Sequence, residues 1–166
     1  PILRFGSQEQ KETWLPRLAS GEQLGAFGLT ESGSGSDAGS VRTTATVEGD
    51  QWVINGSKSF ITNSGTQITG LVTVTAVTGA RADGRPEISA IIVPSGTPGF
   101  QVAPDYAKVG WNASDTHELS FTDVRVPLSH LVGERGRGYA QFLSILAEGR
   151  VAIAALVDEL SGNGTG

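Results

Sequence analysis

Apolar residues along the chain change their spacing twice. Near the start, Trp14, Leu15 and Leu18 recur at helical intervals. Ser7 followed three residues later by Gln10 matches a capping box, and Gly21 supplies a stop signal, so the spacing predicts a short amphipathic helix over residues 8–20. From residue 24 to about 126 the period shortens towards two, β-branched residues dominate, and glycine and proline punctuate often. LGAFGLTE, VRTTATV, LVTVTAVT (71–78), EISAIIVP (87–94) and HELSFTDVRVP (117–127) read as strands, with GARADGRP as a polar loop. Gly49–Asp50 and Asn55–Gly56 are turn signals, and the Asn–Gly pair suits a type I′ hairpin because both central residues need φ > 0. Beyond residue 136 the period lengthens again. Tyr139, Phe142, Leu143, Leu146, Val151, Ile153, Ala154 and Leu156 put apolar residues on several helix faces, more than a surface helix needs, which predicts a covering partner surface.

Helix, β-domain, helix is therefore the expected order: a mainly β fold, a two-sheet barrel or sandwich, with a short N-terminal helix and a C-terminal helix. At 166 residues the chain has about the size of one domain. It lacks methionine altogether and closes on the polar SGNGTG, so it reads as the middle slice of a larger protein. The net charge is −5 and the 12 basic residues form no stripe, which argues against nucleic acid as a partner. With no cysteine, disulfides and thiolate metal sites are excluded. His117 and His130 stand thirteen residues apart with no further ligand beside either, so no metal is expected and they read as plain surface or core histidines. No signal pattern and no apolar run near ~18 residues occur, so the sequence reads as cytoplasmic, with no membrane partner. The sequons at Asn55, Asn112 and Asn163 then read as turn residues.

The densest punctuation is GLTESGSGSDAGS, residues 28–40. Gly33, Gly35 and Gly39 give G-x-G-x-x-x-G, one residue longer than the dinucleotide fingerprint, and a strand rather than a helix follows. The P-loop lysine is absent, and no serine sits in G-x-S-x-G. Strands on both sides argue against a linker. Two readings remain from local sequence: a plain strand-to-strand loop, or a nest of backbone amides that cradles an anion.

Four segments together resemble the flavin-dependent acyl-CoA dehydrogenases: EQKETWLPRLASGEQLGAFGLTESGSGSDAGS, VINGSKSFITN, KVGWNASDTHELSFTDVRVP and LVGERGRGY, in family order over roughly residues 8–157. The resemblance implies the end of an N-terminal helical domain (1–23), a middle β-domain (24–132) and the start of a C-terminal helical bundle (133–166). It also implies FAD, with Phe27, Leu29 and Thr30 at the ring, Gly35 and Ser36 at the pyrophosphate, and Ser36 touching the acyl-CoA as well. Glycine at 35 keeps a Cβ away from the phosphate oxygens. Asp37 is implied to order the loop by accepting local amides. Phe60, Ile61 and Thr62 match the family's aromatic-Ile-Thr, the aromatic against the flavin and the Thr62 hydroxyl towards N5. Phe60 stands where tryptophan is usual, and Ser32 where proline is usual.

The implied reaction is α,β-dehydrogenation of an acyl-CoA thioester, with a glutamate base, hydride transfer to flavin N5, an electron-transfer flavoprotein as acceptor and a homotetramer as the assembly. Most branches of the family carry the base in the bundle beyond this chain; in a minority it precedes an arginine, the position of Gly149 before Arg150. Glu148 is one residue early, about 100° round the helix, so no catalytic residue is assigned. Within the same fold the alternatives are an acyl-CoA oxidase or a flavin monooxygenase. Outside it, the alternative is a non-catalytic β-module used for assembly.

Overall fold

The computed structural model describes residues 1–162, without the side chains of residues 152, 156 and 158–162. The side chain of Leu156 and the Asn163 sequon thus lie outside what is described. A four-residue turn of helix, α1 (Ile2–Phe5), precedes α2 (Gln8–Ala19). The capping box is formed: Ser7 Oγ accepts from the Gln10 amide, and the Ser7 amide donates to Gln10 Oε1, both at 3.1 Å. Gly21 follows the helix at φ +76°, a left-handed conformation that glycine adopts freely.

Seven strands follow: β1 (Leu24–Gly28), β2 (Thr44–Glu48), β3 (Gln51–Thr62), β4 (Thr69–Ala80), β5 (Pro86–Pro94), β6 (Phe100–Val102) and β7 (Thr116–Pro127). They form one curled sheet from two groups of strands. β4 carries β5 antiparallel along one edge and β1 parallel along the other; β2, β3, β7 and β6 pair antiparallel in that order. The groups meet at the single pair Thr44↔Val77, where the Val77 amide donates to the Thr43 carbonyl at 2.8 Å.

The alternation read from LVTVTAVT divides the core. Val72, Val74 and Ala76 face inward with Ile91, Val93, Leu119, Phe121 and Val124. On the opposite face Leu71, Ala90 and Ile92 pack with Ile2, Leu29, Val132 and Phe142, beneath Trp14, Leu15 and Leu18 of α2. β4 and β5 are thus buried on both faces, which is why their sequences are so continuously apolar or β-branched.

Asn55–Gly56 does not make the expected hairpin. Both residues lie inside β3, and the turn between β2 and β3 is Gly49–Asp50 alone, with Glu48 opposite Gln51. Local sequence signals φ > 0 correctly, since Gly56 has φ +146°, but the conformation serves a bulge against β7. There Asp123 takes φ +50°, its amide donates to Asn55 Oδ1 at 2.8 Å, and Asn55 Nδ2 donates to Asp123 Oδ1 at 3.1 Å.

After a 3-10 turn at Leu128–His130 the chain runs along β5 and enters α3 (Gly138–Gly162). Contact is close enough that a Cβ on Gly138 would lie 2.4 Å from the Ser89 carbonyl carbon and 2.5 Å from the Ala90 nitrogen. Phe142 is fully buried and stacks on Phe27 at 4.0 Å between ring centroids. Further along, Leu143, Leu146, Val151, Ile153 and Val157 are exposed, as an uncovered apolar helix should leave them. Gly138→Ala should push α3 off β5 and cost about 1–3 kcal/mol as an overpacked contact. A urea melt reads that loss, and an unchanged midpoint would show that the helix entry is not tightly seated.

Candidate functional site: a cleft between the sheet and α3

The Gly/Ser stretch leaves β1 at Gly28 and folds back at once. Glu31 and Ser34 exchange backbone hydrogen bonds, both 3.0 Å, which closes a tight turn over Ser32–Gly33. Ser34 Oγ donates to the Asp37 carbonyl at 2.8 Å, and the Ser40 amide donates to the same carbonyl at 3.1 Å. The Asp37 carboxylate orders the loop as expected, but through the Ser40 hydroxyl rather than through amides. Neither the Gly35 nor the Ser36 amide donates a hydrogen bond among the described residues, and both residues are exposed. A Cβ on Gly35 would meet no atom within 4 Å. Packing within the chain therefore gives no reason for glycine at 35.

Beneath this loop lies a buried ion pair. Lys58 is wholly buried and Glu31 is 6% exposed, with Nζ 2.7 Å from Glu31 Oε1. The ammonium also donates to the Leu29 carbonyl at 3.2 Å and to Thr75 Oγ1 at 3.1 Å, so its three protons all find acceptors. Glu31 accepts in addition from the Arg42 amide at 2.7 Å and the Thr43 amide at 3.0 Å. Burial acts on both groups. It pulls the Lys58 ammonium down from 10.5 to about 8, against the Glu31 carboxylate that pushes it up. Burial would raise the Glu31 carboxyl, but hydrogen bonding and charge from Lys58, with the Thr43 and Arg42 bonds, together bring it below its usual range.

Two residues after Lys58 the strand bulges, because Lys58 opposes Leu119 while Ile61 opposes His117. Phe60 takes φ +60° and stands 64% exposed, Ile61 turns into the core, and Thr62 points outward. The Ser59 amide donates to the Thr30 carbonyl at 2.9 Å and joins the two segments. All eight residues singled out from sequence line one cleft of about 440 Å³: Phe27, Leu29, Thr30, Gly35 and Ser36 on one side, Phe60, Ile61 and Thr62 on the other. Ala38 completes the loop side, and Leu143, Leu146 and Arg150 of α3 close the cleft. No carboxylate among the described residues lines it. Glu148 instead pairs with Arg4. Apolar walls, one exposed aromatic face, free amides, hydroxyls and a single guanidinium suit a planar apolar ring joined to an anionic group.

The family description "Acyl-CoA dehydrogenase, middle domain" matches residues 26–124, and "Acyl-CoA dehydrogenase, N-terminal domain" matches residues 1–22. The chain belongs to the acyl-CoA dehydrogenase family. It is 51% identical over 156 residues to "Probable acyl-CoA dehydrogenase YngJ" of Bacillus subtilis, covering 94% of this chain and 40% of that protein. Butyryl-CoA dehydrogenase from Megasphaera elsdenii superposes with a TM-score of 0.87 at 42% identity, over 93% of this chain and 40% of that one. An acyl-CoA dehydrogenase from Bacillus anthracis, solved in complex with FAD, gives a TM-score of 0.80 at 41% identity, over 88% of this chain and 25% of that one. The chain spans about 40% of the length of the first curated relatives that it matches.

Within this acyl-CoA dehydrogenase chain, sequence reasoning missed the pair Glu31–Lys58 and the three α3 residues at the cleft. Glu31 and Lys58 are 27 residues apart, and a lysine between two serines in a strand looks solvent-facing. Sequence reasoning places Arg150 only as the arginine that follows Gly149, with no role at the cleft.

Lys58→Met should cost about 3–5 kcal/mol, because it strands a buried carboxylate. The double variant Glu31→Gln with Lys58→Met should recover most of that loss in the same denaturation experiment. The folded Glu31 carboxyl titrates below its unfolded value of 4.5, so its ionisation stabilises the fold above that pH and the gain is lost as pH falls through the lowered value. Stability measured from pH 6 downward should therefore decline less steeply in the double variant, which has neither charge, than in the wild type; an identical slope would show that the carboxylate is not ionised in place.

Proposed function

We propose that this chain is the flavin-facing part of an FAD-dependent acyl-CoA dehydrogenase that carries out α,β-dehydrogenation of acyl-CoA thioesters. One observation carries the reading. Residues from two segments some thirty residues apart in sequence, 27–36 and 60–62, line a single cleft under α3, and the Gly35 and Ser36 amides there have no hydrogen-bond partner among the described residues.

The donor set fits FAD. Phe27, Leu29 and the ring of Phe60 would flank the isoalloxazine, Ile61 would contribute backbone, and the Thr30 and Thr62 hydroxyls would direct hydrogen bonds to its polar edge. Gly35 and Ser36 would meet the pyrophosphate, where a Cβ at 35 would intrude on the oxygens. Ser36 would also touch the acyl-CoA. Arg150 would offset negative charge in a cleft without carboxylates. Bound there, FAD would supply the hydride acceptor.

This chain's residues bind, orient and exclude water; the proton-abstracting carboxylate lies elsewhere in the protein. Gly149 has no side chain to act as a base, and a Cβ there would meet no atom of the described residues within 4 Å. The same reading divides the chain into the end of an N-terminal helical domain (1–23), the middle β-domain (24–132) and the start of a bundle (133–166). It also assigns an electron-transfer flavoprotein as acceptor, a homotetrameric assembly and a cytoplasmic setting. Among the described residues no helix is long and apolar enough to cross a membrane.

The test is flavin absorbance of the full-length protein after incubation with FAD and desalting. A yellow protein that bleaches on adding a short-chain acyl-CoA under anaerobic conditions is expected, and a protein that stays colourless would overturn the reading. Arg150→Gln should raise the FAD dissociation constant roughly tenfold, the equivalent of ~1.4 kcal/mol.

A further inference from the structure

Among the described residues four non-glycine positions have positive φ: Phe60, Asn63, Trp111 and Asp123. Two of them bracket Ile61–Thr62. A left-handed conformation is unusual for a bulky aromatic residue and marks strain that the surroundings must maintain. Its effect here is to swing the Phe60 ring out of the sheet and into the cleft.

The backbone on both sides of Phe60 is fastened without touching that ring. Before it, the Ser59 amide is held by the Thr30 carbonyl. After it, Asp115 accepts from the Asn63 amide at 3.0 Å through Oδ1 and from the Gly65 amide at 2.9 Å through Oδ2. Asp115 is itself 3.1 Å from Nε2 of the buried His117, whose Nδ1 faces the Ala103 carbonyl at 2.7 Å. These contacts fix φ and ψ but leave the ring free to rotate about its own χ angles.

Tyr106 supplies the missing constraint. Its ring stacks on Phe60 with centroids 5.0 Å apart and planes inclined at 26°. Tyr106 is half-buried and its segment is pinned to β7. The Tyr106 amide donates to the Thr116 carbonyl at 3.0 Å, the Thr116 amide donates to Asp105 Oδ1 at 2.7 Å, and Lys108 Nζ donates to Thr116 Oγ1 at 2.8 Å and to the Ser114 carbonyl. The Tyr106 hydroxyl makes no hydrogen bond among the described residues, so its packed contribution is the ring face.

We propose that Tyr106 is a positioning residue. By covering one face of Phe60 it holds the ring in a single orientation and presents the opposite face to a planar aromatic ligand in the cleft. The inference rests on the flavin reading of that cleft.

The experiment measures the FAD dissociation constant and the visible circular dichroism of bound flavin in the full-length protein. The set is wild type, Tyr106→Leu, Tyr106→Phe, Phe60→Leu and the double leucine variant. Tyr106→Leu should weaken FAD binding threefold to tenfold and change the flavin dichroism, whereas Tyr106→Phe should leave both as in the wild type. In the Phe60→Leu background, Tyr106→Leu should have no further effect, which a general structural role would not produce.

Wild-type binding with an unaffected Tyr106→Leu, or equal losses in both backgrounds, would overturn the positioning role alone. A wild type that binds no FAD would overturn the flavin reading and this role with it. Should Tyr106→Leu fail to fold, Tyr106→Met fills the space without a flat face and is read the same way; failure of both to fold would make Tyr106 a core residue and overturn the assignment.

Discussion

The architecture of the cleft depends on one ammonium group. Lys58 Nζ reaches from β3 to the Leu29 carbonyl, the Glu31 carboxylate and the Thr75 hydroxyl of β4, and Glu31 in turn takes the Arg42 and Thr43 amides just before β2. Four stretches of chain thus converge on one buried charge pair. Such a pair adds little stability over well-packed apolar residues, because both ions lose their water, but it is costly to break from one side. Its value is geometric. With its carboxylate drawn inward at residue 31, the chain is left with Thr30, Gly35 and Ser36 at the cleft, and the loop is unable to slide along β3 without stranding a charge.

The two bulges of β3 complement that constraint. One places an extra residue on β7 at Asp123, and the other places one on β3 at Ser59–Phe60, so the register with β7 is the same at both ends of the strand. A strand without the second bulge would keep strict alternation. Phe60 would then share a face with Lys58 and lie in the interior, and the cleft would lose its exposed aromatic surface. The compensating bulge allows one local inversion of the side-chain pattern without moving His117 and Thr116 out of register. α3 is then laid over the opening by the Gly138–β5 contact and the Phe27–Phe142 stack.

Much of this was legible in the sequence, because strands with two buried faces are written in β-branched and apolar residues and caps are written in short motifs. LVTVTAVT and the Ser7–Gln10 box specify their elements within a few residues. The positions of the cleft residues were legible only through resemblance, since no local rule brings Thr30 beside Phe60. Asn55–Gly56 misled because a dipeptide reports the torsion angles it prefers, and not whether a partner strand offers a bulge to receive them. Glu31 and Lys58 were hidden for a related reason: a charged residue in a polar run carries no sign that its counter-ion lies 27 residues away. Phe60 was expected at the flavin, but its left-handed backbone is imposed by Thr30, Asp115 and the β7 register, none of them adjacent to it in sequence.

Charge sets the final constraint. The chain carries a net −5, yet the cleft is lined by Arg150 and by no carboxylate among the described residues; Glu148, the nearest acid in sequence, pairs with Arg4. That segregation suits a site whose task is to receive an anionic ligand, because a nearby carboxylate would raise the cost of bringing phosphates in. It also means that the cleft supplies no general base of its own. On the proposed reading, binding and proton abstraction are therefore divided between different parts of the protein, with the orientation of the ring fixed here and the base brought to it from outside this chain. The exposed apolar positions Leu143, Leu146, Val151, Ile153 and Val157 extend from the cleft along α3. Whatever covers that face would also close the cleft to water, so on this reading burial of the helix and desolvation of the chemistry are one event.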